Sequence, residues 1–484
     1  MSSSSYKLSH KAFMNQPLEE LTQLFPKLQH QAHLAEHKHW RRFQYEQHSG
    51  VTLHQVDLID ALLTEHRLTH DPWDDPLEIK DRRHNLMPGT QRARAKTLAI
   101  KALEKHTPNL FYERWLPWIE KALKESYAES KGSAAGDGES ALPTNLYETI
   151  RRVSLKVVAR TVCFSFKGST LTQIEEALEG IDTAYARIAL GGKRARFGLF
   201  TSGDVKLAQQ SIKSLELTIR PLIRARIGGV SLGDDLISRW VNTRGQDGRS
   251  PKEDQIIDQV IGFLTMSYSS LPKLVFGAIY ALSDERQKEF LGELRRELNS
   301  AVKLITNPPI LDERTPPPVT PQNESAWLTL PLHHTVVLEA QRLYPPEWIT
   351  QMKLSTGVFL LGHEEGSSSD GPTIDSSQHI WLSPMAFHYD LDYFIKPHRF
   401  WPQRWSGNLE STLPRYAFSP FGFEGQPSLS ELYCTEIATR FLMLWFARYT
   451  VVNPPTKLRW ELSLCLRPVT PIAWGQRKEL EQKS

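Results

Sequence analysis

A mainly helical fold is what this sequence predicts, on three observations. Apolar residues recur at helical spacing from Thr144 to Phe166, residues 91–127 read as two helices, and residues 16–48 read as amphipathic helical material. A further helix around Glu339 is stopped by Pro345-Pro346, since proline lacks an N–H and pushes its predecessor out of the helical region. The stretches between are loops by composition. Ser130 to Pro143 is rich in Gly, Ser and Ala. Residues 306–325 carry Pro308, Pro309, Pro316, Pro317, Pro318 and Pro321, and Gly362 to Ser377 forms a third break. No internal repeat is visible.

Composition narrows the function classes. The chain has 484 residues, 40% hydrophobic, which suffices for a sizeable core. A net charge of +3 and a pI near 8.5 are only mildly basic, and no basic stripe interleaved with aromatics occurs, so nucleic acid is not expected as a partner. Cys163, Cys434 and Cys465 lie far apart without C-x-x-C spacing, which predicts neither a disulfide framework nor a zinc site. His30, His33, His37 and His39 also lack tetrahedral-site spacing and read as a solvated helix face. No apolar run of membrane-spanning length occurs, so no transmembrane anchor is predicted. The expected location is cytoplasmic, with peripheral membrane contact left open.

Four motifs in order then carry chemistry. Glu339-Ala340-Gln341-Arg342-Leu343-Tyr344-Pro345-Pro346 has the form E-x-x-R followed by a double proline. Ala386-Phe387-His388-Tyr389-Asp390 and Phe400-Trp401-Pro402-Gln403-Arg404-Trp405 follow it. Last comes Phe421-Gly422-Phe423-Glu424-Gly425-Gln426-Pro427-Ser428-Leu429-Ser430. Together they resemble the cytochrome P450 superfamily, of the kind found in fungal secondary metabolism. That resemblance implies one domain over residues 1–484, mainly α with a small β region. It also implies a motif-bearing core over 255–470 and an N-terminal extension over 1–50 that lacks the anchor helix of many members. Glu339, Arg342 and Arg404 would form a buried ion triad, in which stranding one charge costs ~3–5 kcal/mol.

The last motif departs from the family where the chemistry sits. Laid on F-G-x-G-x-R-x-C-x-G without a gap, it keeps Phe421, places Gln426 on the arginine and Ser428 on the haem-ligating cysteine. A thiolate pushes electron density through iron to favour O–O cleavage, whereas a serine hydroxyl stays neutral and is a poor ligand. Cys434, six residues on, would serve only if its helix slipped by nearly two turns. The central helix, Gly262 to Pro272, also lacks the acid of the family's acid–threonine pair, with Tyr268 or Ser269 in its place. Propionate contacts are weak, although cations within Gln91 to Lys96 could serve.

These departures predict a degenerate P450-like enzyme with no cofactor, or with haem held only by a non-thiolate ligand. The predicted activity is a redox-neutral cyclisation or pericyclic, Diels–Alder-type ring closure of an apolar terpenoid or polyketide, with no redox partner. Positioning alone supplies up to ~7–11 kcal/mol to such reactions. Tyr268, Ser269 and Ser270 are the catalytic candidates, and Trp348, Ile349 and Gln351 the predicted pocket residues. Two alternatives stay open: a haem monooxygenase with an atypical ligand, and a silent metabolite-binding or partner protein.

Overall fold

The computed structural model describes residues 6–8, 16–17, 40–45, 48–65, 68–70, 108–134, 142–164, 166, 168–190, 203–230, 235–244, 248–305, 330–347, 349–354, 357–360, 373–407, 409–423, 429–462 and 466–477. Helices carry most of them: α1 (Val56–Glu65), α2 (Pro108–Ala134), α3 (Leu146–Val162), α4 (Gly168–Leu190), α5 (Gly203–Ile227), α6 (Leu236–Asn242), α7 (Glu253–Leu282), α8 (Lys288–Ile305), α9 (Pro331–Leu343), α10 (Pro384–His388), α11 (Leu409–Thr412) and α12 (Leu429–Arg448).

The strands are short and gather mainly in one sheet. β1 (Tyr6–Leu8), β2 (Gln16–Pro17), β3 (Trp40–Tyr45), β4 (His48–Leu53) and β5 (Leu68–His70) precede the helices. β6 (Thr350–Leu354), β7 (Val358–Leu360), β8 (Thr373–Asp375) and β9 (His379–Leu382) follow α9, and β10 (Tyr449–Val452), β11 (Arg459–Leu462), β12 (Leu466–Pro468) and β13 (Ala473–Gln476) follow α12. The six-stranded sheet runs β1-β3-β4-β9-β6-β5. β4 pairs β9 in parallel with Val51 opposite Ile380, and β6 pairs β9 antiparallel with Met352 opposite the same Ile380. β11 joins β12 and β2, while β10–β13 and β7–β8 form separate ribbons.

Helix α7 is the axis of the molecule. It starts with a capping interaction, the Lys252 amide donating to the Gln255 side chain at 2.8 Å. Apolar side chains are buried along its length: Ile257, Ile261, Leu264, Leu271, Phe276 and Ile279 are all 2% exposed or less. A helix so largely buried is stable only when surrounded, and α3, α5, α9 and α12 pack against it. Each such side chain gains ~1.5–3 kcal/mol from burial. At Gly277 the end of α9 comes closest: an added Cβ would sit 2.5 Å from the Tyr344 ring. That ring stacks in turn on Trp460 of β11.

Several sequence expectations need correction. Residues 40–45 and 48–53 are the paired strands β3 and β4, not amphipathic helix. Trp40, Phe43 and Tyr45 are bulky aromatics that favour extended backbone when a partner strand is present. For the same reason residues 1–50 are no mere extension, since β1, β3 and the start of β4 build half of the main sheet. The helical reading of 91–127 holds from Pro108 onward as one helix that runs through Pro117 to Ala134, into the stretch expected to be loop. Residues 373–375 are strand β8 rather than loop. The histidines 30, 33, 37 and 39 and residues 306–325 lie outside the described residues. Among the described residues no helix is long and apolar enough to cross a membrane, and no His/Cys/Asp/Glu group could hold a metal ion.

Candidate functional site

The three motif charges meet in the core. Glu339 and Arg342, one turn apart on α9, are both fully buried. Arg342 Nη2 donates to Glu339 Oε1 at 2.8 Å and its Nε to Oε2 at 3.0 Å, the two-pronged geometry that suits guanidinium to carboxylate. Arg404, on the turn Pro402–Trp405, reaches Glu339 at 3.1 Å. The Trp401 amide and the Trp405 indole N–H also donate to Glu339, at 2.9 and 2.8 Å. Arg342 spends its remaining N–H groups on the carbonyls of His388, Pro397 and Arg399. Every charge is therefore paired, and the cluster ties α9 to the chain from residue 388 to 405.

His388 extends this cluster. Its Nδ1 lies 2.9 Å from the Arg342 carbonyl and its Nε2 accepts the Ser419 amide at 3.1 Å. Burial, with the Arg342 charge adding to it, pushes the imidazole down to about 3, against the opposing bond to the Arg342 backbone. The ring is neutral at any ordinary pH.

Of the catalytic candidates, Tyr268 is bound to other helices. Its hydroxyl donates to Glu179 of α4 at 2.7 Å and accepts from Arg151 of α3, whose guanidinium also lies over the ring. Arg151 further pairs with Glu148 at 2.6 Å and Glu179 at 2.5 Å. Burial, then the bond to Glu179, push the phenol far above its usual range, although Arg151 pulls the other way. Burial alone would raise the Glu179 carboxyl, but the Tyr268 and Arg151 bonds outweigh it and hold it below its ordinary value. Tyr268 therefore keeps its proton and spends it on Glu179. Tyr268→Phe should cost about 1.5–3 kcal/mol, because the hydroxyl bonds to two charged groups. Thermal denaturation checks this, and a parental melting point would show that the bond contributes nothing.

Ser269 and Ser270 are buried on the same helix. Pro272 has no N–H for the Tyr268 carbonyl, and the Ser269 hydroxyl donates instead to Thr265 O at 3.3 Å. One residue past the proline, Lys273 is 1% exposed and its ammonium reaches the Pro345 carbonyl at 2.6 Å. Sequence reasoning missed this lysine, and a single cation inside an apolar helical run was its only signal. Arg151 and Glu179 were missed as well, because nothing in the sequence joins them to Tyr268.

Of the predicted pocket residues, Ile349 is 2% exposed and packs into the main core. Gln351 pairs through its backbone with Trp381 in the sheet, and Trp348 lies outside the described residues. In the loop motif, Phe421 is half-buried against the core and Phe423 is fully buried against Phe387 and Tyr416. Gln426 and Ser428 lie outside the described residues, as do Gln91 to Lys96 and Cys465. Cys163, at the end of α3, accepts from Arg226 at 3.2 Å, and Cys434 is buried within α12.

Comparison with known proteins fits this geometry. The family model for cytochrome P450 matches residues 318–423, the span holding the buried triad and His388. That match supports kinship with the cytochrome P450 superfamily. The chain has the P450 fold: it resembles the solved haem domain of cytochrome P450DA over 96% of its own length and 94% of that chain, with a TM-score of 0.72 and 16% identity. Cyanobacterial CYP120A1 with retinoic acid bound is similar over 98% and 99%, with a TM-score of 0.69 and 13% identity. Among curated relatives, cyclooctat-9-en-7-ol 5-monooxygenase of Streptomyces melanosporofaciens is 22% identical over 62% of this chain. Pentalenene oxygenase of Streptomyces avermitilis is 24% identical over 63%. The chain spans 60% and 62% of the length of these two relatives.

These matches overturn one expectation. A chain without cofactor does not agree with a family and a structural neighbour defined by haem. Nor do relatives named as a monooxygenase and an oxygenase support a redox-neutral cyclisation. The residues present fit haem in part. The largely buried α7 packed against α12 and the buried triad supply a scaffold. Among the described residues the cysteines are Cys163, at the end of α3, and Cys434, within α12, and both are buried. Ser428, which the sequence aligns with the family's cysteine, lies outside the described residues.

Proposed function

We propose that this P450 is a haem-dependent oxygenase of secondary metabolism that acts on an apolar, terpenoid-sized substrate, with an iron ligand other than thiolate. The observation that carries this reading is the P450 architecture around the largely buried α7, in a chain whose relatives include two oxygenases of terpenoid substrates. Haem would supply the oxygen chemistry. The chain's own part is to hold the substrate and exclude water, and apolar pockets with few polar groups suit that task. Ser269 and Ser270 on α7 are the hydroxyls proposed to orient a substrate oxygen, and Trp348, Ile349 and Gln351 are the residues proposed to line the pocket. Tyr268 braces α7 against α3 and α4 in this reading, because its hydroxyl is committed to Glu179.

The test is a haemochrome assay on purified protein, followed by incubation of terpene hydrocarbons with a reductase under labelled dioxygen. Stoichiometric haem and a product carrying one labelled oxygen are expected. Haem with no oxygenated product would overturn the reading. A second reading rests on Ser428 and on the missing acid at Ser269: a cyclisation or pericyclic closure in the same fold that draws no electrons. It requires a product of the same mass as the substrate, formed without reductase or dioxygen.

A further inference from the structure

We infer that His388 is a positioning residue that transmits the geometry of the Glu339–Arg342–Arg404 cluster to the turn over residues 419–423. The inference goes beyond the proposed function, and its geometry stands without it.

The argument begins with hydrogen-bond chemistry. A neutral imidazole has one N–H and one lone pair on its ring nitrogens. The Ser419 amide can only donate, so Nε2, 3.1 Å away, must be the acceptor. The proton is thereby placed on Nδ1, where it is donated to the Arg342 carbonyl at 2.9 Å. Arg342 Nη1 answers by donating to the His388 carbonyl at 2.6 Å. His388 and Arg342 are thus joined by reciprocal bonds, and the far side of the ring grips the chain just before the loop. The ring is fully buried, and Phe418 and Phe394 pack against it with centroids 5.4 and 6.2 Å away.

What the ring grips is a rigid base. The Ser419 carbonyl accepts the Gly422 amide at 3.0 Å, closing a turn. The Glu347 amide donates to the Pro420 carbonyl at 3.0 Å. Gly422 has φ +95°, and an added Cβ would lie 3.0 Å from Thr350 Oγ1, so this turn requires glycine at that position. Phe423 then drops into the core. Residues 419–423 therefore have three fixed points, and His388 is the one that leads back to the buried charges.

Two substitutions separate the two halves of the ring. Asparagine carries a donor where Nδ1 stands but does not reach Ser419. Glutamine carries an acceptor near Nε2 but gives up the Nδ1 donor. Hydrogen exchange followed over peptides 416–423 and 334–343 reads both ends at once. In His388→Asn, the amides of 419–423 should exchange about fivefold to tenfold faster than in the parent, the effect of one lost hydrogen bond. In His388→Gln that segment should exchange at the parental rate. Equal acceleration in both variants would mean that the ring only fills space, and would overturn the inference. Should neither variant fold, the parent decides: its Ser419 amide should be as protected as the core of α9, and rapid exchange there overturns the inference. None of these readings needs haem, so failure of the functional proposal would appear separately in the haemochrome assay.

Discussion

Arg342→Ala should abolish the folded protein. The substitution strips Glu339, fully buried, of its two-pronged partner, and uncompensated burial of that kind costs ~3–5 kcal/mol. It also takes the guanidinium donors from the carbonyls of His388 and Pro397, while that of Arg399 keeps a longer bond from Arg404. Domains are stable by only ~5–15 kcal/mol in total. Arg404→Ala should be milder, because Glu339 keeps Arg342, the Trp401 amide and the Trp405 indole N–H. Soluble yield and chemical denaturation distinguish the two. If Arg342→Ala unfolds at the parental denaturant concentration, the cluster does not hold the fold.

Acid should destabilise the protein through His388. The unfolded histidine titrates near 6.5, while in the folded chain burial holds it down at about 3. Between those values the unfolded state binds a proton that the folded state refuses, so stability rises with pH. The contribution is complete above about pH 6.5. It falls by ~1.4 kcal/mol for each pH unit below that, down to about pH 3. Glu179 adds loss of the same sign, because its folded carboxyl is also held below its ordinary value. The His388→Gln variant does not titrate at this position and isolates the effect. Unfolding free energies measured from pH 7 to 4 should show a steeper acid loss in the parent, by about one proton per molecule. Parallel slopes would show that His388 is not buried as a neutral ring.

Much of this was legible in the sequence, and for identifiable reasons. The helix expected from Thr144 to Phe166 is observed as Leu146–Val162, because its apolar spacing is local information. The meeting of Glu339, Arg342 and Arg404 followed from motif order. Other features depend on partners distant in the chain. Trp40 to Tyr45 looked helical until β4 was beside it, and the second helix expected within 91–127 runs on to Ala134 in the folded chain. Tyr268 looked like a free hydroxyl, because Arg151 and Glu179 come from two other helices. His388 was visible within a motif, but its grip on Ser419 was not, since that bond exists only once the chain has folded back on itself.

The pairing of β4 with β9 has a consequence for how the molecule is made. Val51 lies opposite Ile380, so about two thirds of the chain separates two neighbours in one sheet. Ribosomes deliver ~5–20 residues per second. Strands made at the outset must therefore wait on the order of tens of seconds for the strand that completes them. Such long-range parallel pairing is slow to close. Until β9 emerges, the edge of β4 stays open to any other extended segment in the cell. The nascent chain thus passes through a window in which chaperones, rather than its own sequence, keep that edge from the wrong partner.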